Sequence, residues 1–225
     1  NFTTIVHAIE EGRNIYNNIK KAVLFLLSCN LGEVVTILVS ILLFWPIPLL
    51  PTQILWINLI TDTLPAIALG VDPGDKDVMK QKPRNPKESF FAEGAWLRAL
   101  IGGFLIGALT LIAFYFGLSE HGYSFGSSKI DNDALNYART MAFVVLALSQ
   151  LFYSISLRHS TKSMFKIGLL SNKYLIGAII IGVILQFSVI TIPFLSGAFN
   201  LINLSLNDWL LVIGFALIPL LINEA

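Results

Sequence analysis

Residues 50–71 read LPTQILWINLITDTLPAIALGV, and this stretch decides the fold. A run of about 20 mainly apolar residues is long enough to cross the roughly 30 Å hydrocarbon core of a bilayer as a helix. The same criterion finds five further runs, so that the predicted spans are residues 22–45, 50–71, 96–118, 138–157, 174–193 and 208–223. We therefore predict an all-α fold, a polytopic membrane bundle of six transmembrane helices.

Composition and charge agree with a membrane protein and orient it. The 225 residues are 55% hydrophobic and 13% charged, whereas soluble domains average about a quarter charged. Basic residues cluster before the first span and in the loops after the second and fourth, while Lys129 and Arg139 lie on the opposite side. By the positive-inside rule both termini are cytoplasmic. The net charge of +1 gives no reason to expect a nucleic-acid partner.

The residues before the first span predict a helix that is much longer than a bilayer is thick. Residues 1–21 carry apolar side chains at helical spacing and lead into the first span without a proline. We predict that they form a cytoplasmic stalk, continuous with a helix that extends to about residue 45. Because a stalk alone is incomplete and the chain begins with Asn1 rather than Met, we expect a segment of a larger protein.

The remaining chain divides into three predicted parts. Residues 22–71 form a helix hairpin, which we identify as the ion-binding part for the reasons given below. Residues 72–95 are rich in Pro, Gly and charge, which is typical of an ordered cytoplasmic docking loop. Residues 96–225 form a supporting four-helix membrane region.

Polar residues in the hairpin are the candidate functional site. Asn30 and Glu33 share a face of the first helix, and Asn58, Thr61 and Asp62 share a face of the second. A short loop at 46–50 makes the helices antiparallel and places the two carboxylates at similar depth. A carboxylate at the bilayer centre costs roughly 2.5 to 3.5 kcal/mol even on the lower scales, so a compensating partner is expected.

Two further residues extend this set. Pro65 lacks an N–H and in a regular helix would free the carbonyl of Thr61, four residues back. Gln150 in the fourth span can add a neutral oxygen if it faces the hairpin. An all-oxygen set suits a hard cation such as Ca²⁺, which takes six to eight oxygen ligands, and suits Zn²⁺ or Cu⁺ poorly.

Less specific interpretations exist for each of these residues. A single Asn, Thr or Gln in a membrane helix commonly hydrogen-bonds a neighbouring helix. Glu33 and Asp62 could form a protonated, hydrogen-bonded carboxyl pair. The same carboxylates could also serve a passive channel or secondary carrier, and a purely structural bundle would leave them unexplained.

The sequence resembles the C-terminal membrane domain of P-type cation-transporting ATPases, most closely the Ca²⁺-pump branch of the sarco/endoplasmic-reticulum type. The resemblance covers essentially the whole chain. The stretches that carry it are NFTTIVHAIEEGRNIYNNIKKAV, SCNLGEVV, ILWINLITDTLPAIALGVDP and KPRNPKESFF. It implies that the six spans are the family's fifth to tenth membrane helices.

The resemblance also implies a metal site and a mechanism. The family's ion ligands match Asn30, Glu33, Asn58, Thr61 and Asp62, whereas Gln150 stands where the two-site Ca²⁺ pumps have Glu. We therefore expect one tightly held Ca²⁺ per cycle, with Na⁺ or another cation as the alternative.

The full-length pump would be an enzyme that forms an aspartyl phosphate from ATP and Mg²⁺. Its actuator, phosphorylation and nucleotide domains and its first four membrane helices would be partners of this chain, together with the lipid bilayer. The chain itself carries no DKTG phosphorylation motif, so catalytic residues are not expected within it. We expect the protein to reside in a bacterial plasma membrane.

Overall fold

A computed structural model of the chain describes residues 2–74, 77–80, 94–122, 131–158 and 171–224. Its α-helices are α1 (Phe2–Leu42), α2 (Pro51–Trp56), α3 (Thr63–Gly70), α4 (Ala95–Glu120), α5 (Asn132–Ser156), α6 (Lys173–Thr191), α7 (Pro193–Ala198) and α8 (Leu206–Glu224). The described residues contain no β-strand, and six of the helical stretches are long and apolar enough to cross a membrane. The prediction of an all-α bundle with six spans is confirmed.

The second span differs from the regular helix that the sequence predicts. Between α2 and α3, residues Ile57–Asp62 form a π-helix, so that Pro51–Gly70 is one continuous span with a change of register at its centre. Pro51 occupies the first turn of α2, where a missing N–H costs no helical hydrogen bond. This central segment carries the polar residues of the span.

The other elements follow the predicted order with shifted ends. Helix α1 is continuous over 41 residues and ends at Leu42, a few residues earlier than predicted. The short helix α7 was not predicted. Helix α6 ends at the extended residue Ile192, and α7 begins at the next residue, Pro193. Most of the predicted docking loop, residues 75–76 and 81–93, lies outside the described residues. The position at which the membrane begins along α1 stays a prediction.

Helix α5 lies at the centre of the bundle. It packs against α4 and α8, and it also contacts α6 and the second span. All residues from 140 to 151 are buried, around the full circumference of the helix. Its neighbours therefore shield α5 from surrounding lipid.

Helices α1 and α4 approach each other along glycines. A Cβ atom built on Gly103 would lie 2.8 Å from the carbonyl oxygen of Ser28, and one on Gly107 would lie 2.9 Å from the carbonyl oxygen of Gly32. Small residues allow close backbone contact in membrane bundles, where van der Waals packing drives association. A close approach of another helix is therefore present at Gly32, and that helix is α4. This contact fixes the position of α1 at Gly32, the residue before Glu33.

Candidate functional site

The π-helical segment presents three of the predicted site residues. Asn58, Thr61 and Asp62 all lie within Ile57–Asp62, and both Thr61 and Asp62 are fully buried. The hydroxyl of Thr61 donates to the carbonyl of Ile57 at 2.8 Å, which leaves the lone pairs of its oxygen available to a cation. π-Helical turns are rare and are frequently found at functional sites.

A pair of hydrogen bonds joins the two helices of the hairpin. The side-chain amide of Asn58 donates from Nδ2 to Glu33 Oε1 at 3.2 Å and to Oε2 at 3.0 Å, and also to the carbonyl of Ile54 at 3.0 Å. Glu33 is buried, with 6% of its surface exposed. The structure thus brings Glu33 to the polar face of the second span, as the hairpin prediction requires.

Asp62 is a buried carboxylate without a hydrogen-bond partner. Neither Oδ1 nor Oδ2 accepts a hydrogen bond from the described residues, and its exposed fraction is 0%. The carboxylate lies beside the thiol of Cys29, which is only a weak donor and makes no hydrogen bond of normal geometry to it, and near the carboxylate of Glu33. A buried acceptor left unpaired costs about 1–3 kcal/mol, and more when it is charged. The unpaired carboxylate of Asp62 therefore lowers the stability of the fold.

Gln150 reaches the same region from α5. It is fully buried and lies near Glu33, yet neither its Oε1 nor its Nε2 makes a hydrogen bond with the described residues. Gln150 therefore faces the hairpin, which is the condition under which it can add a neutral oxygen to the site. The neighbouring Ser149 hydroxyl is likewise buried without a partner in the part of the chain that the structure describes.

Asn30 is not brought into this group. Its side chain is exposed, and its Nδ2 donates to the carbonyl of Leu26 at 2.7 Å within α1. Its role as a ligand stays a prediction. The described contacts therefore assemble Glu33, Asn58, Asp62 and Gln150, with Thr61 on the same segment, and leave Asn30 aside.

Pro65 follows a change of helical register that the sequence did not predict, and its freeing of the Thr61 carbonyl stays a prediction. It is buried three residues after Asp62, and the segment before it is π-helical. A missing N–H at Pro65 removes one α-helical hydrogen bond, which makes a wider turn before it less costly. Sequence reasoning identified the proline as a disturbance but not the resulting change of register.

The assembled side chains offer oxygen ligands to a hard cation. No group of three or more His, Cys, Asp and Glu residues suited to a metal occurs among the described residues. The two carboxylates are instead accompanied by neutral amide and hydroxyl oxygens, and none of the described ion pairs involves either acid. Carboxylate and neutral oxygens together are the ligands that Ca²⁺ prefers, whereas Zn²⁺ sites use nitrogen or sulfur.

A buried carboxylate outside this group, Asp72, was missed as a site by the sequence analysis. We name its surroundings the Asp72 cluster, consisting of Asp72, Asn18, Lys21, Arg158 and Asn172. Lys21 Nζ lies 2.8 Å from Asp72 Oδ2. Oδ1 accepts from Arg158 Nε at 3.2 Å and Nη2 at 3.1 Å, and from Asn172 Nδ2 at 2.7 Å.

The Asp72 cluster joins four elements at one end of the bundle. Asn18 and Lys21 belong to α1, Asp72 follows α3, Arg158 follows α5 and Asn172 precedes α6. Asn18 also donates to the carbonyl of Asp72 at 2.7 Å. Asn172 caps α6, since its Oδ1 accepts from the N–H of Leu175. The sequence analysis used Lys21 and Arg158 only to orient the spans, and nothing in their spacing indicated that they share a partner.

Comparison with known proteins places the chain in a family. The family model described as "Cation transporting ATPase, C-terminus" matches residues 46–225. Calcium-transporting ATPase 1 of Bacillus cereus is 53% identical over the whole chain, which covers 26% of that relative. The calcium-transporting ATPase of Bacillus subtilis is 44% identical over 97% of the chain and 23% of the relative.

The chain thus spans about a quarter of the length of these relatives. The match covers the second to sixth spans, and the relatives' similarity extends through α1 as well. Both the helical architecture and the resemblance stated from the sequence agree with this result. The chain belongs to the cation-transporting ATPases, as part of their C-terminal membrane region.

Proposed function

We propose that this chain supplies the Ca²⁺-binding transmembrane region of an ATP-driven pump that exports Ca²⁺ from the cytoplasm. The observation that carries this proposal is Asp62, whose two buried oxygens have no partner among the described residues. A divalent cation between Asp62 and Glu33 would offset the cost of both carboxylates. The names of the two Bacillus relatives favour Ca²⁺ as that cation.

Each proposed ligand has a distinct contribution. Asp62 and Glu33 supply charge, while Asn58 and Thr61 supply neutral oxygens from the π-helical segment. Gln150 adds an amide oxygen from α5. Asn30 remains a proposed ligand because its amide nitrogen is used within α1, which leaves the amide oxygen for a cation held between α1 and helices outside this chain.

Transport requires parts of the pump that this chain does not contain. In the proposed cycle, ATP and Mg²⁺ phosphorylate an aspartate in a cytoplasmic domain, and the movement of that domain reaches the site through α1. The actuator, phosphorylation and nucleotide domains and the first four membrane helices are the proposed partners. We place the protein in a bacterial plasma membrane with both termini cytoplasmic, in accord with its basic loops and its relatives from Bacillus.

Gln150 bears on how many ions bind. With a neutral amide at this position, the described residues of this site offer two carboxylates, Glu33 and Asp62, to balance bound charge. Two Ca²⁺ ions carry four positive charges, so we propose that one Ca²⁺ is held tightly in each cycle. A pump for Na⁺ or another cation, or a passive channel or carrier, would be supported by a different outcome of the experiment below.

The test is ion-dependent phosphorylation of the full-length protein by ATP. We expect micromolar Ca²⁺ to trigger phosphoenzyme formation, with one Ca²⁺ bound per phosphoenzyme, and Mn²⁺ or Na⁺ to act poorly. Asp62→Asn should weaken the Ca²⁺ response at least about 100-fold, because a buried charge that contacts the ion directly is lost. Glu33→Gln should weaken it in the same direction.

The alternatives have their own signatures in this experiment. Triggering by Na⁺ would retain the pump and refute the proposed ion. Two Ca²⁺ per phosphoenzyme would refute the stoichiometry. A protein that conducts ions without forming a phosphoenzyme would favour the channel or carrier, and a Ca²⁺ response that survives Asp62→Asn would exclude the proposed site.

A further inference from the structure

The π-helical segment is held at its end by a threonine that does not belong to the predicted site. Thr63 is the first residue after Ile57–Asp62, and it is partly buried. Its Oγ1 donates to the carbonyl of Asn58 at 2.9 Å, five residues back along the chain. This hydrogen bond therefore extends across most of the π-helical segment.

The reach of this hydrogen bond distinguishes Thr63 from other threonines in the bundle. Four threonines in α-helices donate to the carbonyl four residues back, which is the usual partner there; they are Thr36, Thr110, Thr140 and Thr191. Thr61, inside the π segment, also bonds four residues back, so Thr63 is the threonine whose bond has the π reach. The i to i−5 bond of Thr63 matches the wider π register instead. A side chain that bonds in this register stabilises the π segment relative to an α-helix of the same residues.

The register determines which side chains meet at the site. Successive residues of an α-helix are rotated by about 100°, so a change of one residue in register would turn the following residues by that amount. Asn58 contacts Glu33 through its amide, and Asp62 lies close to Glu33 as well. Asn58 and Asp62 share a face in either register, but conversion to an α-helix would turn Asp62 about the helix axis relative to α2 and so move its carboxylate relative to Glu33.

We propose that Thr63 is a positioning residue for the cation site, because its hydroxyl holds the π register that sets the direction of Asp62 relative to Asn58 and Glu33. This inference rests on the proposed function. Thr63 need not contact the ion itself. Its effect should therefore be seen in the affinity for Ca²⁺ rather than in the amount of phosphoenzyme at saturation.

The experiment compares variants of the full-length pump in lipid nanodiscs. Thr63→Val removes the hydroxyl and keeps the shape, whereas Thr63→Ser keeps the hydroxyl. Thr191→Val is the matched control, because Thr191 is exposed on α6 and donates to the carbonyl of Phe187 in the ordinary way. Phosphorylation by ATP is measured against Ca²⁺ concentration, and amide hydrogen exchange is followed for the peptide 57–64.

We expect Thr63→Val to raise the half-maximal Ca²⁺ concentration roughly fivefold, the size of one neutral hydrogen bond, with an unchanged maximum. It should also alter hydrogen exchange in the peptide 57–64. Thr63→Ser and Thr191→Val should behave as the parent protein. If Thr63→Val fails to fold, Thr63→Ala removes the hydroxyl without added bulk and carries the same expectation.

Two results would overturn the inference. One is a Thr63→Val protein with parental affinity and exchange; the other is an equal loss in Thr63→Ser, which would assign the effect to something other than the hydroxyl. Failure of the proposed function looks different, because the Ca²⁺ response would then survive Asp62→Asn. In that case hydrogen exchange alone decides whether Thr63 maintains the π segment, and unchanged exchange refutes it.

Discussion

Asp62 and Asp72 are buried carboxylates ten residues apart on the same span and its extension, yet their surroundings are opposite. Asp72 is paired with Lys21 and Arg158 and accepts a further hydrogen bond from Asn172. Asp62 has no hydrogen-bond partner among the described residues and lies near a second acid, Glu33.

Asp72 is thus a carboxylate that stabilises the fold, whereas Asp62 is one that destabilises it. A buried charge is tolerated when fixed partners satisfy it, and removing one partner of such a pair is strongly destabilising. A buried charge without fixed partners remains able to bind a mobile cation and release it again. Asp72 therefore fits a structural role, and Asp62 fits a role in binding.

The largest expected effect on stability is that of Asp72→Asn. It leaves the buried Arg158 and the partly buried Lys21 without their common counter-charge, which should lower the free energy of unfolding by about 3 kcal/mol. Thermal denaturation of the full-length protein in detergent without Ca²⁺ measures this as a lower midpoint. The control is Asp77→Asn, since the Asp77–Lys80 ion pair is exposed and should contribute little. Equal midpoints for the two variants would contradict the structural role of Asp72.

An intermediate effect is expected from Gly107→Ala at the α1–α4 contact. The added Cβ meets the carbonyl oxygen of Gly32 at 2.9 Å, and overpacking of this kind costs about 1–3 kcal/mol. Because Gly32 precedes Glu33, displacement of α1 should also weaken the Ca²⁺ response. Gly177→Ala serves as control, since its Cβ meets nothing within 4 Å. A Gly107→Ala protein with parental stability would show that the helices can separate at no cost.

The smallest effect on stability without Ca²⁺ is expected from Asp62→Asn. Because Asp62 has no fixed partner to lose, the midpoint should stay the same or rise slightly. Adding Ca²⁺ at about 100 times its Kd should stabilise the parent protein by about 2.7 kcal/mol and leave Asp62→Asn unchanged. A clear loss of stability in Asp62→Asn without Ca²⁺ would show that the carboxylate has a structural partner after all, and would remove the contrast with Asp72.

The helices of this fold were largely predictable because bilayer thickness fixes the length of an apolar run. All six spans lie where the hydropathy pattern places them, and the absence of proline before residue 45 indicates the long helix α1. The break at Ile192 and the short helix α7 were not predicted, since Pro193 lies at the edge of an apolar run and is compatible with either a helix end or a helix start.

The candidate site was predictable in composition but only partly in geometry. Charged residues within apolar runs identify Glu33 and Asp62, and helical spacing associates Asn58 with Asp62. Helical spacing also assumes one regular register, so it could not reveal the π segment. The Asp72 cluster could not be predicted from the sequence, because its members come from four separate elements and only tertiary packing brings them together.

The burial of α5 has a consequence for how this protein tolerates substitution. Residues 140–151 face other protein atoms on every side, so neither lipid nor water can accommodate a changed side chain there. Helices α1, α6 and α8 expose large apolar residues that lipid would accept in many alternative forms. In a saturation mutagenesis of the whole bundle, α5 should therefore accept the fewest substitutions, although α6 is the more apolar helix.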